Sequence, residues 1–274
     1  MKPVMLAEAR DEARLGGKAV QLGAAIRAGL PVPPGVALPV ELVQAVRRGD
    51  AAACAAVAAA VRALGGPVAV RSSAIGEDAA GSSFAGQHLT RLNVRGAREA
   101  IAAVVAVHDS AATEAACAYR RRMGLPEAPR MAVVIQRLLE AQSAGVLFTR
   151  NPLDGRDELV IEAAWGLGEA VVSGTVTPDL YRVGRDGRVL EASVAFKHVA
   201  LHPDAAGGTV EVRLPPETAA ARVLGERELA RLHELAREGE AAYGPDLDIE
   251  WVIAGGEVFL VQCRAITRIH AAVA

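Results

Sequence analysis

Apolar residues recur at Ala19, Leu22 and Ile26, a helical spacing that follows Gly16-Gly17 and stops at Gly29, a natural C-terminal cap. Pro31, Pro33, Pro34 and Gly35 then predict an extended turn. An alanine-rich helix opens at Asp50, runs to about Leu64 and is ended by Gly65-Gly66-Pro67. Val68 to Arg71 predicts a short strand emptying into a polar loop, Ser72 to Gly86, and Leu89 to Val94 predicts another. Helical stretches follow over Gly96 to His108 and Ser110 to Met123, before the break at Pro126 and Pro129. From Met131 the texture changes to short β-type runs, Ala132 to Leu138, Gly145 to Thr149 and Glu158 to Glu162. Leu180 to Ser193 reads as a hairpin around Gly184-Arg185-Asp186-Gly187, Thr209 to Leu214 as a strand, and Glu226 to Ala242 as a charged amphipathic helix. The pattern predicts an α/β chain of two lobes, a mixed one over 1–128 and a strand-rich one over 129–274.

The last hairpin, Asp248 to Arg264, carries the most chemistry. A three-residue loop, Ala254-Gly255-Gly256, is expected, because a two-residue loop would shift the register by one and mix Glu250 with Phe259 and Val261. In that register Glu250, Val252, Val258, Leu260, Gln262 and Arg264 share one face, with Glu250 and Gln262 diagonal. Ile249, Trp251, Ile253, Phe259, Val261 and Cys263 share the other. A carboxylate and an amide oxygen suit Mg²⁺, and Arg264 two residues on can hold a phosphate oxygen.

Composition narrows the setting. A net charge of −2 argues against a nucleic-acid binder working by bulk electrostatics, and no apolar run approaches a membrane span. The charged N-terminus lacks a signal core, so a cytoplasmic location is expected. Cys54, Cys117 and Cys263 read as reduced, buried thiols. Lysine occurs only at positions 2, 18 and 197 among 30 basic residues, which marks Lys18 and Lys197 as places where a compact ammonium matters.

Lys18 opens its helix just after two glycines, where free N–H groups and the helix dipole favour anions. Arg71 stands at the mouth of a Ser- and Gly-rich loop whose backbone can approach anionic oxygens. No G-x-x-x-x-G-K-[ST] loop is present. Glu162 precedes the constrained loop Trp165-Gly166-Leu167-Gly168-Glu169 and reads as an aid to a metal, as a group that orients Lys or Arg side chains, or as a paired surface acid. The six histidines, His88, His108, His198, His202, His233 and His270, show no metal spacing.

Together these residues resemble the N-terminal nucleotide-binding domain of the phosphoenolpyruvate synthase, pyruvate phosphate dikinase and rifampin phosphotransferase family. Matching segments run in family order: Gly16 to Gly23, Gly29 to Gly35, Val70-Arg71-Ser72-Ser73-Ala74 with Glu77-Asp78, and Ser83 to Gln87. Ser143 to Thr149, Trp165 to Glu169, Pro178-Asp179, Asp248 to Trp251 and Gln262-Cys263-Arg264 continue the series. The resemblance implies an ATP-grasp fold, two lobes with the nucleotide between them, and ATP with Mg²⁺ as ligands.

It also implies roles. Lys18, Arg71 and Arg264 would bind the phosphates, and Gly86, Thr90 and Arg91 would line the phosphate and ribose side. Gln136 and the backbone of Arg137 and Leu138 would read adenine, and Glu250 and Gln262 would hold Mg²⁺. Lys197 is a looser match, and Ala265 stands where the family has proline. The family's swivelling phosphohistidine domain and pyruvate barrel have no counterpart in these residues, so the histidine acceptor is expected on a separate protein. Three activities follow: a dikinase lobe that cleaves ATP to AMP, a direct kinase of a small molecule, or a nucleotide-binding regulatory module.

Overall fold

The structure, a computed structural model, describes residues 1–76, 89–113, 117 and 130–266. The chain divides into two compact units. The first comprises Met1–Arg27, Pro33–Leu138 and Pro203–Thr209. Its sheet holds β1 (Val4–Met5), β2 (Gly35–Leu38), β3 (Val68–Ala74), β4 (Thr90–Val94) and β5 (Met131–Arg137) in the order β1-β2-β5-β3-β4. Every neighbouring pair is antiparallel.

Among the described residues, four α-helices accompany this sheet: α1 (Glu12–Arg27), α2 (Val40–Arg47), α3 (Ala51–Leu64) and α4 (Gly96–Ser110). The Asp50 side chain accepts from the Ala53 N–H at 2.8 Å, the N-cap that starts α3 after a glycine turn. Val36, Leu38, Val70, Val133 and Ile135 on one sheet face pack with Leu42, Val57 and Val104 of α2, α3 and α4. Cross-strand register puts Ala69, Arg71, Ser73, Thr90, Val134 and Gln136 on the opposite face. There α1 packs against β3 and β5.

The second unit comprises Ala28–Val32, Leu139–His202 and Val210–Ala274. It contains β6 (Ser143–Phe148), β7 (Glu158–Trp165), β8 (Asp179–Gly184), β9 (Val189–Ser193), β12 (Leu247–Ala254) and β13 (Glu257–Ala265). They form an antiparallel sheet in the order β13-β12-β6-β7-β8-β9. The strands β10 (Val199–Pro203) and β11 (Thr209–Arg213) make a separate ribbon. Two short helices, α5 (Glu169–Val172) and α6 (Pro216–Ala220), precede α7 (Glu226–Tyr243). The last packs on β12 and β13 and buries Leu229, Leu232, Leu235 and Ala236. Among the described residues no helix is long and apolar enough to cross a membrane.

The structure corrects several expectations. The chain divides after Leu138 rather than at residue 128, because β5 is the central strand of the first sheet and belongs with it. Gly35–Leu38 is a buried strand instead of the end of a turn, and α2 follows directly; a four-residue, wholly buried strand has no alternation to reveal it among prolines. Ser72 and Ser73 lie in β3, not in a loop, since β5 pairs with β3 as far as Ala74. Cys263 is buried, but Cys54 and Cys117 are only half-buried. The sequence loop over 77–86 lies outside the described residues.

The last hairpin is corrected most. Ala254 faces Glu257, so the loop is the two residues Gly255-Gly256, both at positive φ (60° and 78°), the geometry of a type I′ turn. The register then shifts between Glu250 and Trp251: Glu250 faces Gln262 while Trp251 faces Leu260, and Val261 is the extra residue of a bulge. Val258 and Leu260 therefore join Ile249, Trp251, Ile253 and Cys263 on the side where α7 packs, and Phe259 moves to the face of Glu250.

Lys197 proves to be a core residue. It is wholly buried and its ammonium pairs with the equally buried Asp179 while also donating to the Ala195 carbonyl at 2.8 Å. Asp179 accepts further hydrogen bonds from the Tyr181 hydroxyl and the N–H groups of Ala195 and Val223, so its charge is fully solvated by protein. Replacing Lys197 by Met strands that carboxylate. Denaturant unfolding of Lys197→Met is expected to show a loss of about 3–5 kcal/mol relative to the parent chain.

Candidate functional site

In the first unit the site begins with a broken helix. Gly16 interrupts α1 with φ 77° and ψ 163°, and a Cβ there would stand 2.0 Å from the Ser73 carbonyl oxygen. Lys18 lies in the first turn after this break and is 7% exposed. The Ser73 hydroxyl accepts from the Ala19 N–H at 3.1 Å and donates to the Leu15 carbonyl at 2.8 Å. Arg71 is two residues earlier on the same face of β3, directly opposite Thr90. Gln136 stands on that face opposite Ala69.

The structure thus gathers Lys18, Arg71, Thr90 and Gln136 about one sheet face and its covering helix. Arg91 is not among them: it faces Val70, on the other side of β4 from Thr90, and is exposed. Gly86 lies outside the described residues. The segment expected to read adenine is already engaged. Gln136 is buried and its amide donates to the Pro33 carbonyl at 3.1 Å. The N–H groups of Arg137 and Leu138 donate to the carbonyls of Pro34 and Pro67 at 2.8 and 3.0 Å.

In the second unit, the bulge at Val261 sets Glu250 and Gln262 side by side. One row along, Asp248 faces Arg264, and the guanidinium Nη2 and Nε reach Asp248 Oδ2 at 2.7 and 2.8 Å. Register continues the first row through Val146 to Glu162 on β7. Glu250, Gln262, Asp248, Arg264 and Glu162 therefore share one face. Asp248 had no role assigned from sequence, although its alternation with Glu250 in Asp-Ile-Glu already put the two on one side.

Both flanking acids are held at a cost. Burial pushes the Glu162 carboxyl above its ordinary range, and the nearby Asp248 charge adds to the effect. Burial also raises Asp248, which Arg264 opposes and Glu250 reinforces. Among the described residues Glu162 has no hydrogen-bond or ion-pair partner. No group of three or more His, Cys, Asp or Glu among them is arranged to hold a metal alone. A carboxylate raised by folding binds more protons folded than unfolded, so its contribution to stability falls as pH climbs past the ordinary carboxylate value. Glu162→Gln is expected to raise unfolding free energy at pH 7 and to flatten the decline in stability just above pH 4.5, as followed by denaturant titrations across pH.

Comparison with known proteins places the chain in a family. Residues 36–274 match the family described as pyruvate phosphate dikinase, AMP/ATP-binding domain. A probable phosphoenolpyruvate synthase of Methanothermobacter thermautotrophicus is 42% identical over 74% of this chain and 30% of its own length. A rifampicin phosphotransferase of Streptomyces sviceus is 40% identical over 73% of the chain and 23% of its own. The prodigiosin synthesizing transferase PigC of Serratia marcescens is 36% identical over 93% and 32%. The chain spans less than a third of the length of each of these relatives. Among solved structures, D-alanine-D-alanine ligase from Helicobacter pylori covers 94% of this chain and 55% of its own at 12% identity, with a TM-score of 0.42. With most of its length matched and its polar residues ordered on two sheet faces, the chain belongs to the family of pyruvate phosphate dikinase AMP/ATP-binding domains.

Proposed function

We propose that this chain is the ATP-binding part of a dikinase-type phosphotransferase of the ATP-grasp kind, cleaving Mg-ATP to AMP and passing a phosphoryl group to a histidine on a separate cytoplasmic protein. The observation that carries the reading is the Glu250–Gln262 pair beside the Asp248–Arg264 pair on one sheet face. One carboxylate and one amide oxygen suit Mg²⁺, which completes its shell with water and phosphate oxygens. When bound it would neutralise charge on the transferring phosphates. Buried Asp248 and half-buried Glu162 beside the pair support this, since carboxyls raised by burial in one place mark where a cation would be favoured.

The rest of the work falls to this chain's cations. Lys18, Arg71 and Arg264 would hold the phosphates, with Asp248 fixing the Arg264 guanidinium in orientation. Thr90 joins the group about Arg71. Because the N–H groups of Arg137 and Leu138 are already donated, adenine would meet carbonyl oxygens there and not those two donors. Catalysis by such a set is positioning and charge neutralisation, with no nucleophile called for among the described residues. The described histidines fit that division: His108 pairs with Asp109, His198 lies edge-on to Phe196, His233 bonds the Arg185 carbonyl, and His202 sits on β10. None is on β3, β5, β12 or β13.

The test is product analysis of the purified chain with Mg-ATP and the histidine-bearing domain of a phosphoenolpyruvate synthase relative. AMP is the expected product, and Glu250→Ala is expected to lower its formation by at least about 10²-fold. ADP as sole product would replace this reading with direct phosphorylation of an acceptor. ATP binding without turnover under any acceptor would leave a regulatory module.

A further inference from the structure

We infer that Ser73 is a positioning residue for Lys18, locking the lysine-bearing helix turn to the strand that carries Arg71; this rests on the phosphate role proposed for Lys18. With Gly16 non-helical, the second part of α1 starts afresh: Gly16 stands at the N-cap, and Gly17, Lys18 and Ala19 are its first three helical residues. An N-cap side chain ordinarily accepts from the second or third N–H, but Gly16 has none to offer. The Ser73 hydroxyl, from another strand, accepts from Ala19 in its place. Its own proton goes to the Leu15 carbonyl, so one hydroxyl fastens both sides of the break.

Three facts make this a device for placing the lysine and not a generic core contact. Ser73 is fully buried, and its main chain is pinned by pairing with Ala132 of β5, so the hydroxyl has little freedom. The close approach at Gly16 brings α1 onto Ser73 within a distance no other residue permits. Arg71 shares the face of β3 with Ser73 two residues away. Lys18 and Arg71 are therefore spaced by a rigid path of one helical turn, one hydroxyl and one strand step. A phosphate chain needs its cations at fixed separation, and an error near 1 Å is enough to weaken the grip.

The test is a double-mutant cycle on Mg-ATP affinity, read by calorimetry, with thermal unfolding to confirm that each variant folds. Ser73→Ala is expected to weaken ATP about five- to tenfold, the size of a lost helix cap. In a Lys18→Met background the same change is expected to alter affinity less than about twofold, because the group being positioned is gone. Ser73→Cys, which puts a weaker donor and acceptor in place of the hydroxyl, should fall between parent and Ser73→Ala and serves if the alanine variant does not fold. Losses of equal size with and without Lys18, or unchanged affinity in the folded Ser73 variants, would overturn the positioning role while leaving ATP binding intact. Unchanged affinity in Lys18→Met alone would instead overturn the phosphate role of Lys18, and this inference with it.

Discussion

Val261 is inserted between Gln262, which faces Glu250, and Leu260, which faces Trp251. Side chains alternate along a strand with period two, so one extra residue exchanges the faces of everything beyond it. On the turn side of the bulge, Val258 and Leu260 point where α7 packs; on the far side, Gln262 and Arg264 point the other way. A tight glycine turn and a Gln262 that faces Glu250 are compatible only because of that insertion. The core of the second unit and its chemical face thus depend on the same irregularity.

How much of this could be read from the chain depends on whether the signal was local. Asp50 followed by an alanine run announces α3, and the charged periodicity of 226–242 announces α7, because caps and periods are written in neighbouring residues. Glu250 and Gln262 stood out for the same reason, as polar residues set among apolar strand positions. The bulge did not, since Val261 is as good a strand residue as those beside it and only pairing exposes the extra one. Alternation alone sets Arg91 and Thr90 on opposite sides of β4, but which of them shares the face of Arg71 emerges only when β4 is registered against β3. The reach of β3 through Ser72 and Ser73 was hidden because β5 imposes it from sixty residues away in the ladder, against the turn preference of serine. Asp248 was visible as a residue, but its grip on Arg264 belongs to the register.

The second unit buries charge in two ways. At Asp179 every need of the carboxylate is met by an ammonium, a hydroxyl and two backbone N–H groups. The result is an interior knot tying β8 to the segments at 195–197 and 223. Around Glu250 the acids are crowded and incompletely answered: Glu162 is raised by burial, and Asp248 is raised despite Arg264. A satisfied network rigidifies a core, whereas an under-satisfied one stores a preference for positive charge from outside. The contrast separates a satisfied buried pair from a crowded acidic face, and it moves Lys197 from a residue worth following for chemistry into the core.

Gly16 and Ser73 also bear on how this chain can change over time. Any side chain at 16 runs into the Ser73 carbonyl, a backbone atom that no substitution at 73 removes. Conversely, a residue at 73 without a hydroxyl leaves both the Leu15 carbonyl and the Ala19 N–H to find other partners. The two positions are therefore constrained unequally: 16 is closed to any side chain whatever stands at 73, while 73 is held only by the two hydrogen bonds of its hydroxyl. The junction thus has one fixed side, the glycine, and one adjustable side, the hydroxyl that meets it.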